Sequence, residues 1–342
     1  MRFMKTTVEF ENNGFDIIRY LAAFLVMMLH YAGYMLMLTD KITNVMQWAR
    51  QIALLFPGVV ILFALSGFLV SASFEKAKTR KEFLKKRARR IYPELWICTI
   101  VNLAVVSILV PKLLDKSIFL WLAAQIVGIA YTPSGLKEFA TGSINGTLWT
   151  VFTEVQLYLV LAFVYPFLKK MKNSLWAVLF VLLAAANLVC EAAGSNGGVT
   201  AKLIERSFIP YALWFFIGVF CYLKRQRVLP CLKKLFLPLL AVYLFLNILP
   251  VQLPGYYTNI GISILLPLLV IGGGYCLPKL RLHCDLSYGL FLYHWIVLNG
   301  IVHFDLMNKL PWMACLIFFI VLSFLLAWFS WRIGNIIGNK IT

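Results

Sequence analysis

Ten apolar stretches, residues 17–38, 54–73, 91–110, 148–168, 175–193, 208–223, 235–249, 260–277, 286–302 and 313–337, occupy more than half of this 342-residue chain. A run of about 20 apolar residues wound as an α-helix rises about 30 Å, the thickness of a bilayer's hydrocarbon core. Inside that core each backbone N–H and C=O has to find its partner within the chain, so a polypeptide with this pattern is expected to be all-α, a polytopic bundle of about ten spans. Composition agrees: 61% hydrophobic and only 13% charged residues exclude a soluble globular chain. We expect a single integral-membrane domain over 1–342, with no appended soluble domain. The flank ahead of the first run carries Arg2, Lys5, Glu9, Glu11 and Asp16 and no small-residue cleavage site follows that run, which therefore reads as a retained span and not as a signal peptide.

An eleventh stretch, 118–131, is too short for a span and holds Gln125 and Gly128, as a re-entrant or interfacial segment would. The basic residues fix the topology. Nine cations fall between Lys76 and Arg90, and further clusters occur at Lys169/Lys170/Lys172, Lys224/Arg225/Arg227/Lys233/Lys234 and Lys279/Arg281. All of these lie on one side only if 118–131 does not cross, and the positive-inside bias then makes that side, with both termini, cytoplasmic. The formal charge of +18 is explained by topology, so no nucleic-acid partner is expected. Membrane lipids are expected partners of the basic segment, while Arg87 and Arg90, just ahead of the third run, have the forked guanidinium geometry that grips phosphate. The seven cysteines are scattered without paired spacing and read as packing residues, and no metal site is expected.

Arg19 and His30 share the first apolar run, eleven residues apart. At about 100° and about 1.5 Å per residue they project from one helix face and differ by about 16 Å in depth, which puts His30 near the bilayer middle. An ionisable residue there is expensive and needs a reason. The pair fits either a helix-end anchor plus a histidine bonded to a neighbouring helix, or a proton-exchanging base placed for chemistry. Glu154 is the one acid deep in its run, and His294 lies among Ser287, Tyr288 and Tyr293; both fit a site, and both fit helix–helix hydrogen bonding.

Five segments, in order, carry a resemblance. Phe15-Asp-Ile-Ile-Arg-Tyr-Leu-Ala with His30, arginine and histidine separated by ten residues, resembles the opening signature of the acyltransferase-3 family of integral-membrane O-acyltransferases. Phe63-Ala-Leu-Ser-Gly-Phe-Leu69 resembles the family's second-span motif, Arg87-Ala-Arg-Arg-Ile-Tyr-Pro93 its arginine motif, Thr147-Leu-Trp-Thr-Val-Phe-Thr-Glu-Val-Gln-Leu-Tyr158 its glutamate span, and Leu286-Ser-Tyr-Gly-Leu-Phe-Leu-Tyr-His-Trp295 its late histidine span. Glu94 departs from the pattern, standing where such proteins usually carry an apolar residue. The resemblance implies O-acyl transfer, usually of acetyl from acetyl-CoA, to a hydroxyl on a cell-surface or lipid-linked saccharide at a bacterial plasma membrane. It makes His30 the general base, Arg19 an oxyanion or phosphate ligand, and Arg87 and Arg90 the grip on the CoA phosphates. Glu154 becomes a hydroxyl-orienting or relay group, and His294 and Tyr288 become acceptor contacts.

Buried charges on interrupted helices also suit a transporter, or a translocator that hands the acyl group to a separate extracytoplasmic transferase. An arginine cluster aligned with a mid-membrane histidine favours transfer. Gly272-Gly-Gly274 lacks the strand–turn–helix context of a nucleotide loop and fits close packing, a kink or a cavity wall. His283 and His303 have ordinary interfacial explanations.

Overall fold

The structure is a computed structural model that describes residues 13–39, 43–113, 115–248, 253–280 and 284–340. Arg2, Lys5, Glu9, Glu11, Arg281 and His283 lie outside the described residues. Among the described residues the regular structure is helical throughout, with no strand. The α-helices are α1 (Phe15–Leu38), α2 (Asn44–Leu55), α3 (Gly58–Lys76), α4 (Arg80–Leu109), α5 (Ser117–Val127), α6 (Leu148–Lys170), α7 (Asn173–Gly194) and α8 (Gly198–Arg206). They continue with α9 (Ala212–Leu223), α10 (Arg225–Lys234), α11 (Phe236–Ile248), α12 (Ile260–Gly274), α13 (Ser287–His303), α14 (Leu306–Lys309) and α15 (Trp312–Lys340).

Six helical stretches, Phe15–Leu38, Asn44–Lys76, Arg80–Leu109, Leu148–Lys170, Asn173–Gly194 and Trp312–Ile336, are long and apolar enough to cross a membrane. Two bent pairs, Gly198–Arg206 with Ile209–Leu223 at 53° and Arg225–Lys234 with Phe236–Ile248 at 68°, bring the number to eight if each is one broken span. The chain is a multi-pass membrane protein. Of the remaining expected spans, 260–277 folds as the 15-residue α12, which ends at the triple glycine. The run 286–302 folds as the 17-residue α13. At about 1.5 Å per residue these rise only about 22 and 25 Å, so both are short for a perpendicular crossing. The stretch 118–131 overlaps the 11-residue α5, Ser117–Val127, which stops at Gly128, in the left-handed conformation that suits glycine.

The basic stretch between the second and third apolar runs reads as a loop in the sequence, but most of it is helix. Thr79 Oγ1 accepts from the Glu82 N–H at 3.1 Å, and the Glu82 carboxylate reaches back to the Lys78 N–H at 2.8 Å, a reciprocal arrangement that starts α4 at Arg80. Lysine and arginine are good helix formers, so nothing interrupts the helix before Pro93, which it carries internally. Arg87, Arg90 and Glu94 follow one another at helical spacing and share a face of α4.

The contacts fall into two compact units. One comprises 1–22, 59–84 and 153–282, the other 23–58, 85–152 and 283–342. In the first, α3 and α9 meet backbone to backbone. A Cβ added at Gly67 would strike the Phe215 carbonyl, and one at Gly218 would strike the Ala64 carbonyl, so each glycine exists to admit the other helix. The triple glycine packs in the same way, Gly272 against Leu232, Gly273 against Phe236 and Gly274 against the Phe15 ring, which selects close packing among the three uses the sequence allowed. In the second unit α13 and α15 form the central pair, with Gly289 set against Ala327. The segment 139–145 is tied to α13 by Asn299, which donates to the carbonyls of Ser143 at 2.9 Å and Ile144 at 3.0 Å.

Candidate active site

α1 carries His30 and α13 carries His294, and in the second unit the two rings meet. His30 Nδ1 lies 2.9 Å from His294 Nε2. The ring planes differ by only 10° and the centroids stand 5.2 Å apart. That separation is the nitrogen–nitrogen distance plus about one ring radius at each end, so the rings are joined edge to edge in a common plane, the geometry of a lone pair receiving an N–H. They are not stacked face to face.

The tautomers follow from the far end of the chain of bonds. His294 Nδ1 lies 2.9 Å from the Leu290 carbonyl oxygen, which can only accept. For neutral imidazoles His294 Nδ1 therefore holds the proton, its Nε2 accepts, and His30 Nδ1 donates to it. His30 Nε2 is left with its lone pair free to take a proton. His294 is fully buried, whereas His30 is only partly so. Trp295 closes the other side, its indole edge-on to the His30 ring at a centroid distance of 4.8 Å. The indole is itself fixed, because Nε1 donates to Thr141 Oγ1 at 3.0 Å and to the Ser143 carbonyl at 3.1 Å, and Gly146 leaves room for its six-membered ring. Tyr34, one turn along α1, donates to the Thr141 carbonyl at 3.2 Å. Trp295 ends the late histidine motif but carries no assigned role in the sequence, and helical spacing points to Tyr34 at i+4 from His30, whereas Thr141 and Asn299 have no signal in the sequence.

Just ahead of α13, Asp285 Oδ2 faces Arg90 Nη2 of α4 at 3.4 Å, both side chains roughly half exposed. Asp285 is held by Ser287, whose hydroxyl donates to Oδ1 at 2.6 Å. Tyr288 donates to the Ile91 carbonyl at 3.3 Å, which ties α13 to α4. Arg87 lies one turn before Arg90 and is half-buried. Glu94, next along this face, has a buried Oε2 with no hydrogen-bond partner among the described residues, and its side chain runs past Gly334 of α15.

The remaining expected site residues lie in the first unit. Arg19 is paired with Asp16 one turn earlier on α1. Glu154 Oε1 accepts from Ser66 Oγ at 2.7 Å and from the Tyr158 hydroxyl, while Ser66 Oγ and Tyr158 Oη are 3.1 Å apart. Tyr158 stands at i+4 from Glu154 and was open to detection by helical spacing; Ser66 is far away in sequence and was not. With two donors on one oxygen the carboxyl is held in a single orientation. Among the described residues no group of three or more histidine, cysteine or acidic side chains could hold a metal ion.

Comparison with known proteins bears on this arrangement. A nodulation protein 10 from Rhizobium leguminosarum bv. viciae is 28% identical over 321 residues, covering 85% of this chain and 84% of that protein. An O-acetyl transferase from Shigella phage Sf6 is 26% identical over 187 residues, about half of each chain, 53% and 54%. No solved structure matches. The family model described as an acyltransferase domain matches residues 12–332, nearly the whole length, and includes every histidine, arginine and glutamate placed above. The chain belongs to the acyltransferase-3 family and is a membrane O-acyltransferase.

Proposed function

We propose that this enzyme moves an acyl group, acetyl for preference, from cytoplasmic acyl-CoA to a hydroxyl of a cell-surface or lipid-linked saccharide at a bacterial plasma membrane, with both its termini in the cytoplasm. The observation that carries the reading is the in-plane His30–His294 bond, which leaves His30 Nε2 as a base in a family of acyltransferases. The name of the phage relative, O-acetyl transferase, supports acetyl as the group and oxygen as its destination.

In this reading His30 Nε2 removes the acceptor hydroxyl proton as the oxygen attacks the thioester carbonyl. The C–S bond then breaks, and the proton on the imidazolium passes to the departing CoA thiolate, so base and leaving group are both restored. The positive charge that His30 carries in between is shared through Nδ1–H with His294 and onward to the Leu290 carbonyl dipole. Arg87 and Arg90 present guanidinium forks to the CoA phosphates, and Asp285 holds Arg90 until the donor arrives. Arg19 is assigned to the oxyanion or to the donor phosphates, Glu154 with Ser66 and Tyr158 to orienting the acceptor, and Tyr288 to the acceptor side of α13. Glu94 has the chemistry of an additional hydrogen-bonding group beside Arg90.

The test is His30→Ala. Expression and membrane insertion stay near wild type, and acyl transfer to surface glycans falls by about 10²-fold or more, the usual share of general-base catalysis. Mass spectrometry of the glycans reads the result, and unchanged acylation by a well-expressed variant refutes the assignment.

A further inference from the structure

Gly33 lies in the interior of α1, where glycine is about 0.5–1 kcal/mol less favourable than alanine. At Gly67, Gly218 and Gly274 a side chain would collide with a neighbouring backbone or ring. At Gly33 a Cβ would meet nothing within 4 Å. Packing does not explain this glycine.

Its position does. With about 100° per residue, Ala23, Val26, Met27, His30, Gly33, Tyr34 and Met37 all lie within about 60° of the His30 direction. Along that face Ala23, Val26 and Met27 are buried, His30, Gly33 and Tyr34 are half-buried, and Met37 is 67% exposed. The face that carries the base is therefore packed on the N-terminal side of His30 and opens on the C-terminal side, with Gly33 at the opening. A lipid tail is a poor occupant, because an imidazole and a phenol flank the space and polar groups facing hydrocarbon are costly. Beside it on α1, Tyr34 donates to the carbonyl of Thr141, in the 139–145 segment that Asn299 and Trp295 hold in place.

We infer that the space beside Gly33 is the acceptor subsite, the place of the sugar ring that bears the reacting hydroxyl, and that Gly33 sets how bulky that acceptor can be. This rests on His30 as base and on α1 running outward from the cytoplasm. Side chains at position 33 narrow the subsite without touching the donor. Surface-glycan acetylation should fall progressively through Gly33→Ala, Gly33→Leu and Gly33→Trp, with Leu lower by about 10-fold or more. Binding of a non-hydrolysable acetyl-CoA analogue to the purified Leu variant should match wild type.

A second measurement reads the space directly. In intact cells Gly33→Cys should react with a charged, membrane-impermeant methanethiosulfonate, and the modification should abolish the acetylation that remains. Val321→Cys, on an exposed apolar face in the middle of α15, should not react. Full acetylation by Gly33→Leu overturns the inference, as does a Gly33→Cys as inert as Val321→Cys, which would put lipid in the space. If His30→Ala is inactive while Gly33→Leu is fully active, the subsite falls and the base stands. If His30→Ala is fully active, the reading beneath both falls.

Discussion

Replacing His294 isolates what the second ring contributes. Its Nε2 is 2.9 Å from His30 Nδ1, and this bond is neutral before proton transfer and charge-assisted after it. A neutral hydrogen bond contributes about 0.5–1.5 kcal/mol and a charged one about 1.5–3 kcal/mol, so the gain on reaching the transition state is about 1–1.5 kcal/mol. At 1.4 kcal/mol per decade, losing that gain slows kcat by about 5- to 12-fold. Without a partner to fix its tautomer and plane the His30 ring is also misdirected for part of the time, which extends the loss toward about 10²-fold. Because His294 is fully buried, alanine would leave a cavity, and His294→Leu is the cleaner probe since it fills the volume without accepting a hydrogen bond. His294→Gln restores an acceptor oxygen near the position of Nε2 and should recover activity to within about 3-fold of wild type. The assay is the initial rate of CoA release by enzyme in proteoliposomes, with membranes from cells lacking the enzyme as acceptor. The expected pattern is a fall in kcat for Leu, recovery for Gln, and an unchanged KM for acetyl-CoA in both. Equal activity in Leu and wild type refutes the relay. Equal losses in Leu and Gln, accompanied by a lower melting temperature, reduce His294 to packing.

Three further outcomes are expected. Arg87→Ala and Arg90→Ala should each weaken binding of a non-hydrolysable acetyl-CoA analogue by about one to two decades, with lysine restoring the charge but not the fork, and unaltered titration curves would leave these arginines to lipid contact. Glu154→Gln keeps an acceptor for Ser66 and Tyr158 and should lose less glycan acylation than Glu154→Ala; equal losses would show that the negative charge, and not the orientation of the group, is what Glu154 supplies. Cysteine at Ser134 should be labelled from outside the cell by an impermeant thiol reagent and cysteine at Lys170 should not, and the reverse pattern would mean that 118–131 crosses the membrane.

Apolar runs with few charges, such as 17–38 and 148–168, became helices almost to the residue, because in lipid the backbone has no alternative. Boundaries failed where local chemistry competed. Thr79 and Glu82 build a helix start inside a stretch that its charge marks as loop, and the polar helices α8 and α10, which meet the apolar runs 208–223 and 235–249 at bends of 53° and 68°, carry no hydropathy signal of their own. The site was legible to the extent that contacts are local. Tyr158 four residues after Glu154 and Asp16 three before Arg19 follow from helical spacing, whereas His30 and His294 are 264 residues apart and nothing in either segment names the other. Resemblance places both histidines in family motifs, but only the fold joins them and so fixes which nitrogen is free.

The contact between α3 and α9 limits how this enzyme can move. Gly67 and Gly218 let two backbones touch, and a slide of either helix by one turn would bring Phe63 or Ser71 of α3, or Trp214 or Tyr222 of α9, to the crossing in place of a glycine. Shear between them is blocked, so during turnover the two helices travel as a solid piece. Ser66, beside Gly67, keeps its place relative to α9, and any opening that admits substrate has to be made by other parts of the bundle.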